Sequence, residues 1–130
     1  MNLKVALINE TEFDYDFIKS SLPNDDIELN WFEKVQSDVN YYDVYIIDKK
    51  HNAPNIVKHI KNNAPKASIY VISDYDNTST LKTLLKIGVD GFLDKENITN
   101  EEVCSFLKKE YDRKCKLLKI TNKLKVALSK

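Results

Sequence analysis

Three short apolar runs in this chain, Val5-Ala6-Leu7-Ile8, Val44-Tyr45-Ile46-Ile47 and Ile69-Tyr70-Val71-Ile72, are continuous and rich in β-branched or aromatic residues. A half-exposed strand alternates polar with apolar positions, whereas a strand buried on both faces of a parallel sheet reads as an unbroken run. A shorter run, Phe92-Leu93, follows, and Ile27-Glu28-Leu29-Asn30-Trp31 alternates as an edge strand would. Helical patterns separate these segments. Thr11 to Leu22 places Phe13, Phe17, Ile18 and Leu22 on one face, ahead of Pro23. Pro54 suits the first turn of a helix carrying Ile56, Val57 and Ile60. Leu81, Leu84 and Leu85 form the next stripe, which ends at Gly88, a natural C-terminal cap. Thr99 and Glu102 have the spacing of a capping box, opening a helix with Val103, Phe106, Leu107 and Tyr111. Between Glu33 and Tyr42 the pattern is weak and compatible with a short helix. Five alternations of strand and helix predict an α/β fold, a doubly wound five-stranded parallel sheet of order 2-1-3-4-5. Its functional crevice would lie at the carboxyl ends of the central strands.

A length of 130 residues suits one domain. No apolar run approaches the roughly 20 residues that span a bilayer, so no membrane association is expected. Met1-Asn2-Leu3-Lys4-Val5 leads straight into a core-like strand with no cleavable leader pattern, which makes the cytoplasm the expected compartment. Cys104 and Cys115 fall eleven positions apart on one helix, roughly 16 Å, too far for a disulfide. Formal charge sums to zero but is unevenly spread. Residues 1–50 carry five Lys against eleven Asp and Glu, a net of −6, and residues 111–130 carry seven Lys and Arg against Asp112, a net of +6. Such asymmetry bears on partners rather than fold, although a basic run is most often just a solvated helix face. The tail spaces Leu117, Thr121, Leu124 and Leu128 by four, three and four, a short heptad-like seam that makes a homodimer a candidate state. The division expected is 1–112 for the α/β domain and 113–130 for a basic helical extension.

Chemistry would gather where the buried strands end. The first strand is followed by Asn9-Glu10, the third by Asp48, the fourth by Ser73-Asp74 and the fifth by Asp94-Lys95. Polar residues can simply mark strand ends, and for any one of these that reading suffices. Together they would bring an amide, carboxylates, a hydroxyl and an ammonium to one edge of a parallel sheet. In Leu7-Ile8-Asn9-Glu10, Tyr45-Ile46-Ile47-Asp48, Val71-Ile72-Ser73 and Gly88-Val89-Asp90-Gly91-Phe92-Leu93-Asp94-Lys95, the chain resembles the receiver domain of bacterial two-component response regulators over roughly residues 3–112. The last segment is the most specific, since it holds both glycines of the chain at the family spacing.

The resemblance implies a flavodoxin-like receiver fold and a signalling role rather than an enzyme, beyond catalysis of its own phosphotransfer and dephosphorylation. Asp48 would accept a phosphoryl group from a sensor histidine kinase or phosphotransfer protein, as a carboxylate can form an acyl phosphate. Mg²⁺ would be held by Glu10, Asp48 and the main-chain carbonyl of Lys50, with Asn9 reached through water. Lys95 and the Ser73 hydroxyl would meet phosphoryl oxygens, because catalysis of phosphoryl transfer is mostly positioning and charge neutralisation. Ser73 and Phe92 would report the modified state, though Phe92 equally fits a core or edge aromatic. The chain departs from the family in having Asn9 in place of an acidic residue, Asp74 where a small residue is usual, and Glu96 where proline usually follows the lysine. Two readings therefore stay open: a phosphoacceptor switch, and a degenerate receiver acting as a phosphorylation-independent interaction module. A third possibility is a regulator whose basic helix leads to an output domain.

Other constellations fail. Gly88 and Gly91 are the only glycines, so no glycine-rich phosphate loop exists. His51 and His59 lack partners at zinc spacing, and His59 is expected at the surface. Trp31 and the seven Tyr read as packing residues, and no helix-turn-helix is recognisable, so nucleic acid is not an expected partner of this chain.

Overall fold

The computed structural model describes residues 2–9, 12–33, 42–48, 53–73 and 78–129, with the backbone alone for 12–14. In chain order the elements are β1 Leu3–Ile8, α1 Glu12–Ser20, β2 Ile27–Phe32, β3 Val44–Asp48, α2 Ala53–Asn63, β4 Ser68–Ser73, α3 Thr78–Lys86, β5 Gly91–Asp94 and α4 Asn100–Ser129. The five strands form one sheet in the order β2-β1-β3-β4-β5, and every pairing is parallel. This is the architecture and strand order expected from the sequence. The short helix considered between Glu33 and Tyr42 falls outside the described residues except at its two ends.

The unbroken apolar runs have the predicted cause. All five residues of β3 are buried, because the sheet is covered on both sides. Side chains alternate between two cores with the period of two that a strand imposes. On one side Ala6, Ile8, Tyr45, Ile47, Ile69 and Val71 face Val57 and Ile60 of α2 and Leu84 of α3. On the other, Leu3, Val5, Leu7, Val44, Ile46, Ile72 and Leu93 face Ile18 of α1 and Val103 and Leu107 of α4. β2 lies at the sheet edge, which is why its sequence alternates.

The ends of the helices follow their capping chemistry. After α3 the Gly88 amide donates to the Leu85 carbonyl at 3.2 Å and the Val89 amide to the Leu84 carbonyl at 3.1 Å, the paired bonds of a Schellman motif. That motif needs a left-handed residue, and Gly88 has φ 108°. At the start of α4 the Glu102 amide donates to Thr99 Oγ1 at 3.1 Å, the N-cap bond predicted from the spacing.

α4 is the long element, 30 residues without a break. It runs through the boundary expected at 112, and both Arg113 and Lys114 still bond the body. Every residue from Lys116 to Ser129 is exposed. Cys104 and Cys115 are reduced thiols on this helix, both half-buried. Among the described residues no helix is long and apolar enough to cross a membrane.

Candidate functional site at the carboxyl edge

Parallel pairing carries the ends of β1, β3, β4 and β5 to one edge. Asp48 pairs with Ile72, and Ser73 pairs with Asp94, so Lys95 emerges one residue beyond the ladder. The ladder is extended there by one bond, the Lys95 amide donating to the Ser73 carbonyl at 2.8 Å. Lys95 then reaches across β4, and its Nζ donates to Asp48 Oδ2 at 3.0 Å. The pair is unequal: the Asp48 side chain is 4% exposed and that of Lys95 is 35% exposed. An aspartate buried to this degree needs its charge met by a partner. The lysine meets it while its stem runs out to solvent.

Asn9 and Ser73 are buried beside this pair. The Asn9 amide donates to the Phe32 carbonyl at 3.0 Å, continuing β1 against β2 by one residue. Its carbonyl accepts the indole Nε1–H of Trp31 at 2.6 Å. Trp31, expected only to pack, thus also fixes the main chain at the end of β1. Nothing in the sequence spacing marks that bond, since it joins positions 22 residues apart. Phe92 is half-buried and packs against the core beneath α2 and α3. The edge therefore brings together Asn9, Asp48, Ser73 and Lys95. Glu10, Lys50, Lys49, His51 and Asp74 lie outside the described residues. His59 is half-buried rather than exposed, and its carbonyl accepts the Asn63 side-chain amide at 2.8 Å.

The turn after β5 gives the departure at Glu96 a structural meaning. The Glu96 amide donates to Asp94 Oδ1 at 3.1 Å, and Asn97 Nδ2 donates to Asp94 Oδ2 at 2.8 Å. The Asn97 amide closes the turn on the Asp94 carbonyl at 3.2 Å. A proline at 96 has no N–H and could not make the first of these bonds. The turn that presents Lys95 is held instead by Asp94 acting as an Asx-type acceptor.

No protein-family model matches the sequence, and no curated protein matches it. Solved structures do resemble it. A response regulator from Thermotoga maritima superposes with a TM-score of 0.72 at 17% identity, covering 85% of this chain and 98% of that one. An orphan response regulator of H. pylori gives 0.72 at 18% identity, covering 83% and 95%. An atypical orphan response regulator, described as having a phosphorylation-independent regulatory mechanism, gives 0.70 at 18% identity, covering 83% and 94%. The fold is that of a response-regulator receiver domain.

In receiver terms, the carboxyl edge presents a buried carboxylate, an ammonium in contact with it, a buried hydroxyl and a buried amide. The described residues contain no cluster of three His, Cys, Asp or Glu able to hold a metal. Asp48 and Asn9 nevertheless supply oxygen donors of the hard kind that Mg²⁺ takes.

Proposed function

We propose that this chain is a receiver module that accepts a phosphoryl group on Asp48 from a sensor histidine kinase or a phosphotransfer protein. The observation that carries the reading is the 3.0 Å contact between Lys95 Nζ and Asp48 Oδ2 at the carboxyl edge of a receiver fold. An Asp48 carboxylate oxygen would attack the donor phosphorus, the P–O bond forming as the bond from phosphorus to the donor nitrogen or oxygen breaks. Lys95 would follow the incoming charge from the carboxylate to a phosphoryl oxygen, and the Ser73 hydroxyl would donate to another. Mg²⁺, held by Asp48, Glu10 and the Lys50 carbonyl with Asn9 touching its water shell, would supply charge neutralisation beyond that of Lys95.

The test is intact mass after incubation with acetyl phosphate and Mg²⁺. Wild-type protein gains one hydroxylamine-labile phosphate and Asp48→Asn gains none. An unchanged wild-type mass, with no spectral response to beryllofluoride, overturns the reading. It would favour the second one, a receiver that signals through binding alone. That alternative has its own support in the buried neutral amide of Asn9 where receivers usually carry an acid.

A further inference from the structure

The free half of α4 continues a face that the bound half has already defined. Val103 and Leu107 are buried against the sheet. Glu110 accepts from Ser68 and Tyr70, and Lys114 Nζ donates to Asp43 Oδ2 and to the Asn2 carbonyl. Those four positions are spaced four, three and four, and the same rhythm continues as Leu117, Thr121, Leu124 and Leu128. Past the body, none of the described residues covers this seam: Leu117 is 54% exposed, Leu124 59% and Leu128 86%. Leu118 and Ile120 flank it and are also exposed.

The seam points to the side of the helix that the body occupies, which limits what can cover it. A flat lipid surface touching Leu117, Leu124 and Leu128 would run into the body. An acidic protein surface would engage the lysines, which lie elsewhere on the helix. Another copy's body offers little to a leucine stripe, since among the described residues outside the tail Leu85 is the only large hydrophobic side chain exposed. A second tail in parallel would need its own residues 100–114 where this body already packs. An antiparallel second tail meets none of these obstacles.

We propose that the tails of two copies pair antiparallel through this seam. The seam is symmetric about its midpoint, so Leu117 meets the partner's Leu128 and Thr121 meets the partner's Leu124. Ile120 then flanks the partner's Ala127, and Leu118 lies under the stem of the partner's Lys125. Lys116, Lys119 and Lys123 occupy outer heptad positions, so two tails that are each strongly basic bring no lysine opposite another. In this register residue 129 of one tail lies opposite residue 116 of the other, where α4 leaves the body. Neither tail intrudes on its partner's domain. The partner's tail end arrives instead at an open cleft of about 470 Å³ at the helix root, lined by Leu3, Asp43, Ser68, Glu110, Lys114 and Leu117. The pairing spans about two heptads, so the dimer is weak and reversible.

Sedimentation equilibrium of the full chain over a concentration series into the millimolar range should show reversible monomer–dimer exchange. Leu124→Lys should move its midpoint at least about tenfold upward, with the urea midpoint of the body unchanged. In a Cys104→Ala, Cys115→Ala background, a mixture of Leu117→Cys and Leu128→Cys proteins should form a mixed disulfide on mild oxidation, and Leu117→Cys alone should not. A monomer at every concentration with no mixed disulfide overturns the proposal. So does efficient self-crosslinking of Leu117→Cys, which means parallel tails, or a dimer indifferent to Leu124→Lys, which means another face. Binding of phosphatidylserine vesicles through Leu124 by a protein that remains monomeric also overturns it, in favour of a lipid surface.

Discussion

Replacing Lys95 with Met tests whether the Lys95–Asp48 contact holds in solution. The substitution keeps most of the stem and removes the ammonium that meets a carboxylate only 4% exposed. Breaking a fully buried pair from one side costs about 3–5 kcal/mol, and an exposed pair is worth about 0–1 kcal/mol. Here one partner is buried and the other about a third exposed. Solvent screens the lysine and water can follow it inward, so the cost should sit between these limits, at about 2 kcal/mol. For a domain of this size that corresponds to a fall in Tm of roughly 6–10 °C. Asp48→Asn removes the charge that Lys95 answers, and the lysine can swing into water. Lys95→Met should then cost little in the Asp48→Asn background. Urea unfolding of the four proteins of this double-mutant cycle should return a coupling of about 1–2 kcal/mol. A coupling below about 0.5 kcal/mol, within the error of such cycles, would mean that the two side chains do not hold each other and that the charge argument is wrong.

Three further outcomes are expected. Gly88→Ala should destabilise the protein by about 1–2 kcal/mol, because φ 108° is costly for any residue with a Cβ; the Lys61 stem 2.8 Å from that Cβ is flexible and can move, so urea unfolding should report mainly backbone strain. Burial of Tyr70, with its hydrogen bond to Glu110, pushes its phenol above the ordinary value of 10.0. Below that value both folded and unfolded chains hold the proton and the group adds no pH dependence, whereas above it the unfolded chain ionises first. Stability should therefore fall as pH rises past about 10, and a phenolate absorbance titration of Glu110→Gln should show one tyrosine ionising at lower pH than in wild type. Asn9→Asp should tighten Mg²⁺ binding, since it adds a charged oxygen donor beside Asp48; an unmoved midpoint in a chemical-shift titration would mean that residue 9 does not face the metal.

The sheet was legible because its strands are buried on both faces, and only an unbroken apolar run satisfies two cores at once. The helix ends were legible for a local reason as well: Gly88 and Thr99 act within a few residues of themselves. The candidate site was half legible. Strand ends announce which residues share an edge, and that placed Asn9, Asp48, Ser73 and Lys95 together. What sequence spacing does not encode is the bonding between distant positions that fixes their aim. Trp31 holds the Asn9 carbonyl from a neighbouring strand, and Asp94 ties down the turn in which Glu96 replaces proline. The reach of α4 was anticipated, but its anchoring was not, because Glu110 looks like any exposed helix glutamate until Ser68 and Tyr70 arrive beneath it.

The buried polar residues divide by place and by task, and the division separates the candidate site from the scaffold. Among the described residues they are Asn9, Ser21, Asp48, Ser68 and Ser73. Burying such groups is unfavourable unless partners are supplied, so each needs a reason. Ser21 and Ser68 have a structural one. Ser21 Oγ donates to Asn100 Oδ1 at 2.6 Å, and Ser68 Oγ donates to Glu110 Oε2 at 2.9 Å. They clasp α4 near the two ends of its packed half, and Lys114 on Asp43 at 2.8 Å adds a third hold. A helix clasped in this way leaves the body in a fixed direction, which is what gives its exposed seam a defined side. Asn9, Asp48 and Ser73 lie together at the carboxyl edge of the sheet, where the half-exposed Lys95 opens the edge to solvent. A carboxylate, a hydroxyl and an amide buried at neighbouring strand ends, with an ammonium between them and water, are what set this edge apart as the candidate site.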